Sequence, residues 1–208
     1  MTPYTLSNDE DKIIKVYLLR PIKERKNTDW SLDEFSELKK NIKNHYIKEQ
    51  TRTCAYCKVE LKTEHNALWD LEHIIDRNSN VNFMFEPKNL CVSCKDCNTY
   101  KGTTNVLKNK GRKTFPNESS DYLIIHPHFD DYAEHITVVC PGDLYRPRTE
   151  KGRFTIITCN LLRFFSLAGM DPVDQNIDEL AKVLIGSQGY ARKLISDKLV
   201  EKITENRE

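Results

Sequence analysis

Apolar positions change period along the chain. The opening 28 residues are mostly polar, with one apolar segment, Ile13, Ile14, Val16, Tyr17, Leu18 and Leu19, that stops at Pro21. Between 31 and 50, Phe35, Leu38, Ile42 and Tyr46 recur at three- and four-residue steps, which predicts an amphipathic helix. Ser31 with Glu34 three residues later reads as a capping box at its start. The run from Ala67 to Ile75 predicts a strand, and residues 76–82 are polar and turn-like. Phe83, Met84 and Phe85 begin an apolar return that Pro87 breaks. A short helix is predicted from about Lys95 to Gly102, whose glycine suits a helix end. Residues 103–120, rich in Lys, Asn, Thr and Ser, read as a loop or linker.

The last third mixes strand and helix signals. His135–Cys140 and Gly152–Thr158 read as strands, and Asn160-Leu161-Leu162-Arg163 as a strand-to-helix transition. From 176 to 205, Ile177, Leu180, Val183, Leu184, Leu194, Ile195, Leu199 and Ile203 have helical spacing, interrupted at Gly186–Gly189. The pattern predicts an α+β protein in three parts. These are an N-terminal helical segment (1–50), a central module (51–105) and a mixed C-terminal α/β extension (106–208), the last suited to binding a partner.

Charge refines this picture. Charged residues make up 30% and apolar ones 38%, yet the net charge is only +1, low for a chain that would hold a long nucleic acid alone. Basic residues gather locally. Asp96 is the single acid between Lys88 and Lys113, and Glu150 the single acid between Arg146 and Arg163. Each patch is also readable as an ordinary solvated face. No run of about 18 apolar residues predicts a membrane span. Seven cysteines, an odd number, and an opening without a leader pattern point to a reducing, cytoplasmic setting rather than to disulfides.

The cysteines carry the strongest chemical signal. Cys54-x2-Cys57 and Cys94-x2-Cys97 form two knuckles at a separation that suits one closed, tetrahedral structural Zn2+. Cys91 offers a second register with Cys94. It reads better as a small apolar residue on a strand, and Cys140 and Cys159 as buried thiols. Between the knuckles stand Glu72-His73, then Asn89, and directly after them Asn98 and Lys101. These suit hydrolysis of a phosphodiester. His73 is a general base near neutral pH, and Asn89 a partner able to fix its tautomer. Glu72 and Asn98 are oxygen ligands for Mg2+ or Mn2+, with Asp70 the rival carboxylate. Strand alternation puts Asp70 and Glu72 on one face and His73 on the other. Lys101, one helical turn past Asn98, would meet a substrate phosphate. His126, His128, Asp130, Asp131 and His135 could form a second metal site, though Pro127 and the two aspartates also make turn chemistry.

In order and spacing, Cys54-Ala55-Tyr56-Cys57, Leu71-Glu72-His73-Ile74-Ile75, Asn89-Leu90, Cys94-Lys95-Asp96-Cys97-Asn98 and Lys101-Gly102 resemble the HNH endonuclease motif. The resemblance covers about a quarter of the chain. It implies a ββα-metal fold, with the histidine on a hairpin strand and the final asparagine on a helix packed across it. Two positions depart from the usual pattern: Glu72 where aspartate is commoner, and Asn98 where many members carry histidine. The tail adds Ile125-His126-Pro127-His128-Phe129-Asp130-Asp131, Lys151-Gly152 and Asn160-Leu161. With these the chain is similar to the small HNH nucleases of Septu-type and retron-associated anti-phage systems. That likeness implies a DNA nuclease working beside an ABC/SMC-like ATPase. An RNA- or tRNA-cleaving enzyme on the same site, and a non-catalytic zinc module that binds nucleic acid, are the alternatives.

Overall fold

The computed structural model describes residues 1–62, 66–142, 144–163 and 196–197. The helical expectation for 176–205 therefore lies almost wholly outside the described residues. The fold is α+β, with two separate two-stranded antiparallel sheets.

Helix α1 spans Asn8–Leu18 and opens on a true capping box: the Ser7 hydroxyl accepts from the Glu10 N–H, and the Glu10 carboxylate accepts from the Ser7 N–H. Helix α2 spans Ser36–Glu49 and buries Leu38, Ile42 and Tyr46 of the expected stripe, with Phe35 buried at its N-cap. It starts later than its pattern predicts. Two 3₁₀ turns, Asn27–Ser31 and Asp33–Phe35, occupy the expected first turn, and Ser31–Glu34 caps nothing.

Strand β1 (Trp69–His73) pairs antiparallel with β2 (Leu90–Cys94), setting Asp70 opposite Ser93 and Glu72 opposite Cys91. Helix α3 (Lys95–Lys101) follows β2 at once and packs on both strands. The Cys94 sulfur caps it, accepting from the Cys97 N–H at 3.5 Å. The hairpin separates two buried clusters. Trp69, Leu90 and Val92 face α1, α2 and the aromatic group of Trp30, Tyr17 and Phe85. Cys91, Cys94 and Cys97 face a second cluster that takes in Tyr56, Ile74, Ile124, Ile136 and Ile156.

Residues beyond 105 complete that second cluster. Val106, Leu107 and Tyr122 are buried in it, so the stretch expected as a linker is anchored by apolar side chains and a Leu107–Tyr122 bridge. Helix α4 (Tyr132–His135) leads into β3 (Ile136–Cys140), which pairs with β4 (Leu144–Pro147). Gly152–Thr158, expected as a strand, is the body of helix α5 (Glu150–Thr158). Thr149 caps it by accepting from the Gly152 N–H, and a Cβ at Gly152 would lie 2.0 Å from the His135 carbonyl oxygen. The β-branched run Thr155-Ile156-Ile157-Thr158 suggested extension, but the cap and this close approach favour a helix. Among the described residues no helix is long and apolar enough to cross a membrane.

Candidate functional site

The two cysteine knuckles meet beneath the hairpin. The Sγ atoms of Cys54, Cys57, Cys94 and Cys97 all lie within 4.8 Å of one another, and all four residues are buried. Cys57 and Cys94 are 3.9 Å apart, sulfur to sulfur. A tetrahedron with Zn–S arms of ~2.3 Å has edges of about 3.8 Å, so this donor set fits one Zn2+. The Cys94 N–H donates to the Cys54 sulfur at 3.3 Å, an outer hydrogen bond of the kind that steadies thiolate ligands. Cys91 and Cys159 stand outside the set. Burial pushes both thiols well above the usual cysteine range, which keeps them protonated. Both are buried as expected; the same expectation for the Cys140 side chain lies outside the described residues.

Arg163, which the sequence offered only as part of a basic patch, sits over this centre. Its Nη2 lies 3.5 Å from the Cys97 sulfur and 3.7 Å from the Cys94 sulfur, and its Nη1 donates to the carbonyls of Cys159 and Asn160. The guanidinium would offset the negative charge of a zinc–tetrathiolate group. Nothing in its local sequence marks it. Only the fold brings residue 163 to residue 97.

On the α3 side of the hairpin, the expected ligands divide. Glu72 is buried and forms an ion pair with the buried Lys101 at 2.5 Å. Burial raises the Glu72 pKa, with the Lys101 charge opposing that shift. Lys101 also donates to the His73 carbonyl at 3.0 Å. With 1% of its surface exposed, Lys101 braces the strand–strand–helix unit from inside and does not reach toward solvent for a phosphate. Asp70, the rival, takes the exposed role. It accepts from the Asn98 side-chain amide at 2.8 Å and from Lys95 at 3.0 Å. Asp70 and Asn98 together line an open cleft of about 510 Å³, with Lys39, Lys40, Lys43 and Arg77 around it. Asn98 reaches Asp70 because both strands and α3 are fixed by the knuckle at Cys94–Cys97. A carboxylate beside a side-chain amide suits a hard divalent ion that keeps several waters.

His73 points to the other face, as alternation predicts. Its Nε2 lies 3.0 Å from the Met84 carbonyl oxygen. A carbonyl only accepts, so Nε2 carries the proton and Nδ1 the lone pair. The ring packs edge-on against Trp30 at 4.5 Å, and Trp30 itself lines the cleft. Burial, and then the Arg77 charge, lower the His73 pKa to about 3, so the imidazole is neutral at pH 7. Asn89 does not meet the imidazole. Its Oδ1 accepts from the Ile75 N–H at 2.8 Å, and its Nδ2 donates to the Ile75 and Phe83 carbonyls. It pins the base of the loop between β1 and β2, and that loop carries Met84. The partner that fixes the histidine tautomer is thus the backbone of residue 84.

The C-terminal histidines and aspartates do not bring three donors together. His126 stacks on Phe129, His128 contacts the Leu90 carbonyl, and Asp130 pairs with Lys151 and lies 3.5 Å from His135 Nε2. Asp131 caps α4. Among the described residues, the four cysteines are the only group of three or more ligand-bearing side chains that come together.

Comparison with known proteins gives one informative likeness. Over 135 residues the chain is 27% identical to the Septu protein PtuB of Bacillus thuringiensis. The alignment takes in 65% of this chain and 42% of that relative, so the chain spans less than half of the protein it matches. No family model and no solved structure matches. The chain is therefore an α+β protein with a buried four-cysteine centre and a distant relationship to a Septu protein.

Proposed function

We propose that the chain is a metal-dependent endonuclease of the HNH type that hydrolyses phosphodiester bonds in DNA. The observation that carries this reading is the Asp70–Asn98 pair, 2.8 Å apart on a cleft edged by lysines and an arginine, on a strand–strand–helix unit held by four cysteines. Asp70 and Asn98 would hold Mg2+ or Mn2+, which supplies charge to stabilise the phosphorane-like transition state. In this reading His73, neutral with its lone pair on Nδ1 and lying behind Trp30 at the cleft wall, takes a proton from water as the water oxygen bonds to phosphorus, a step that requires Trp30 to shift so that the ring reaches the cleft from the opposite strand face. The bond from phosphorus to the leaving oxygen breaks with its electron pair, and solvent returns a proton to that oxygen. Lys101 and Glu72 hold the strand that carries His73, and Asn89 holds the loop that orients it.

The relationship to a Septu protein supports a place in anti-phage defence, with an ABC/SMC-like ATPase as partner. A non-catalytic zinc module that binds nucleic acid is the second reading, favoured by the burial of His73 against Trp30. Incubation with supercoiled plasmid separates the two. A nuclease nicks plasmid with added Mn2+ or Mg2+, stops on chelation before it unfolds, and recovers when the ion is restored. A chain that binds plasmid but leaves it intact under every divalent ion, alone and with its partner ATPase, is the binding module.

A further inference from the structure

The cleft that holds Asp70 and Asn98 does not end at Arg77. Arg77 also lines a second open cleft of about 600 Å³, bordered by Arg25, Lys110 and Arg112 and by the polar side chains of Asn78 and Ser79. The two clefts adjoin through this one residue. Their walls carry seven Lys or Arg and one acid, Asp70, whereas the whole chain has 32 basic and 31 acidic residues. The sequence scatters these groups over residues 25, 39–43, 77 and 110–112, and only Lys110 and Arg112 fall in the basic stretch between Lys88 and Lys113. Of these seven, Arg112 pairs with Asp121 and Arg25 donates to the Leu18 and Arg20 carbonyls, and the one acid that lines the clefts is the proposed ion ligand.

We propose that the joined clefts form one track for the phosphate backbone of duplex DNA, crossing the Asp70–Asn98 pair. The inference deepens the nuclease reading and rests on it for the role of that pair. Lysines and arginines along a groove neutralise phosphates and release counterions without reading sequence. The surfaces beside them favour duplex over single strand. Single-strand grooves offer aromatic faces on which bases stack. Here the two aromatic residues of the first cleft, Trp30 and Trp69, are 8% and 2% exposed, and the second cleft has no aromatic lining residue. The polar lining of Asn44, Asn78 and Ser79 suits hydrogen bonds to phosphate and sugar oxygens.

The test is fluorescence anisotropy with a labelled random-sequence DNA duplex, its single strand and the matching RNA, titrated at several salt concentrations without added divalent ion. The full zinc-loaded chain should favour the duplex. The quadruple variant K40Q/R77Q/K43Q/K110Q should lower affinity at least tenfold and flatten the log–log salt slope by about three to four, near 0.9 per lost phosphate contact. K12Q/K15Q, on α1 away from both clefts, should bind as the parent does, and equal zinc content and melting temperature confirm that each variant folds. Unchanged affinity and slope in a folded quadruple variant, or no duplex binding by the parent at low salt, overturns the track. Tighter binding of single strand or RNA overturns the duplex assignment. Plasmid cleavage assays on the same parent and quadruple variant separate this inference from the nuclease reading: duplex binding by a parent that cleaves under no divalent ion sinks the chemistry alone, and parental cleavage and binding by the folded quadruple variant sinks the track alone.

Discussion

The imidazole of His73 is held by the backbone of Met84, with Nε2 3.0 Å from the carbonyl oxygen. The bond leaves Nδ1 as the basic nitrogen, and Trp30 supports the ring from the side. Under the nuclease reading, His73→Ala should reduce plasmid cleavage by roughly 10²-fold or more while zinc content stays near that of the parent. Near-parental cleavage by folded His73→Ala protein would remove this residue from the mechanism.

The same burial ties His73 to stability. Its folded pKa, about 3, lies below the ordinary value of 6.5, so the unfolded chain binds a proton in that window that the folded chain does not. Stability is therefore present above pH 6.5 and lost as pH falls toward 3. The contribution of this one group should drop by about 2 kcal/mol between pH 7 and pH 5. His126 and His128 are also lowered by burial and act in the same direction. Urea unfolding of the parent and of His73→Gln at both pH values isolates the share of His73. Equal pH dependence in the two proteins would show that His73 is not buried as described.

Glu72 and Lys101 form a buried pair, and removing one partner strands the other's charge. Lys101→Met should destabilise the fold by about 3–5 kcal/mol, whereas Lys101→Met with Glu72→Leu should recover much of the loss. Denaturant unfolding of the two single variants and the double variant measures the coupling. Additive losses would place the two side chains apart.

Metal content tests the centre beneath them. About one zinc per chain is expected, and serine at Cys54, Cys57, Cys94 or Cys97 should cost both zinc and folding. Cys91→Ser should keep the zinc, because Cys91 lies outside the set. Arg163→Gln should release zinc faster to a chromogenic chelator, since its guanidinium faces two of the sulfurs. Zinc lost by Cys91→Ser and kept by Cys94→Ser would reverse the assignment.

What could be read from the sequence was short-range. The paired cysteine spacing, the buried stripe of α2 and the alternation that separates Asp70 from His73 are all properties of neighbours a few residues apart. What escaped depends on burial and on long-range approach. Glu72 and Asp70 share a face and differ little as residue types, but only Asp70 reaches the cleft, because Lys101 draws Glu72 inward. Lys101 read as a surface lysine since helical spacing gives a face and not a depth. Trp30 and Arg163 lie more than 40 residues from His73 and Cys97, their respective partners, and no local pattern links them. The Gly152–Thr158 run misled because β-branched residues favour strands on average, while its fate was set by the Thr149 cap and the passage of the backbone by His135.

Plasmid cleavage by Asp70→Ala and Asn98→Ala, beside the parent, bears most directly on the site. With Mn2+ present, the parent should convert supercoiled plasmid to nicked or linear forms. Both variants should lose at least about 10²-fold in rate while keeping zinc and duplex binding. Cleavage at the parental rate by either folded variant would contradict Asp70 and Asn98 as the place where the divalent ion acts.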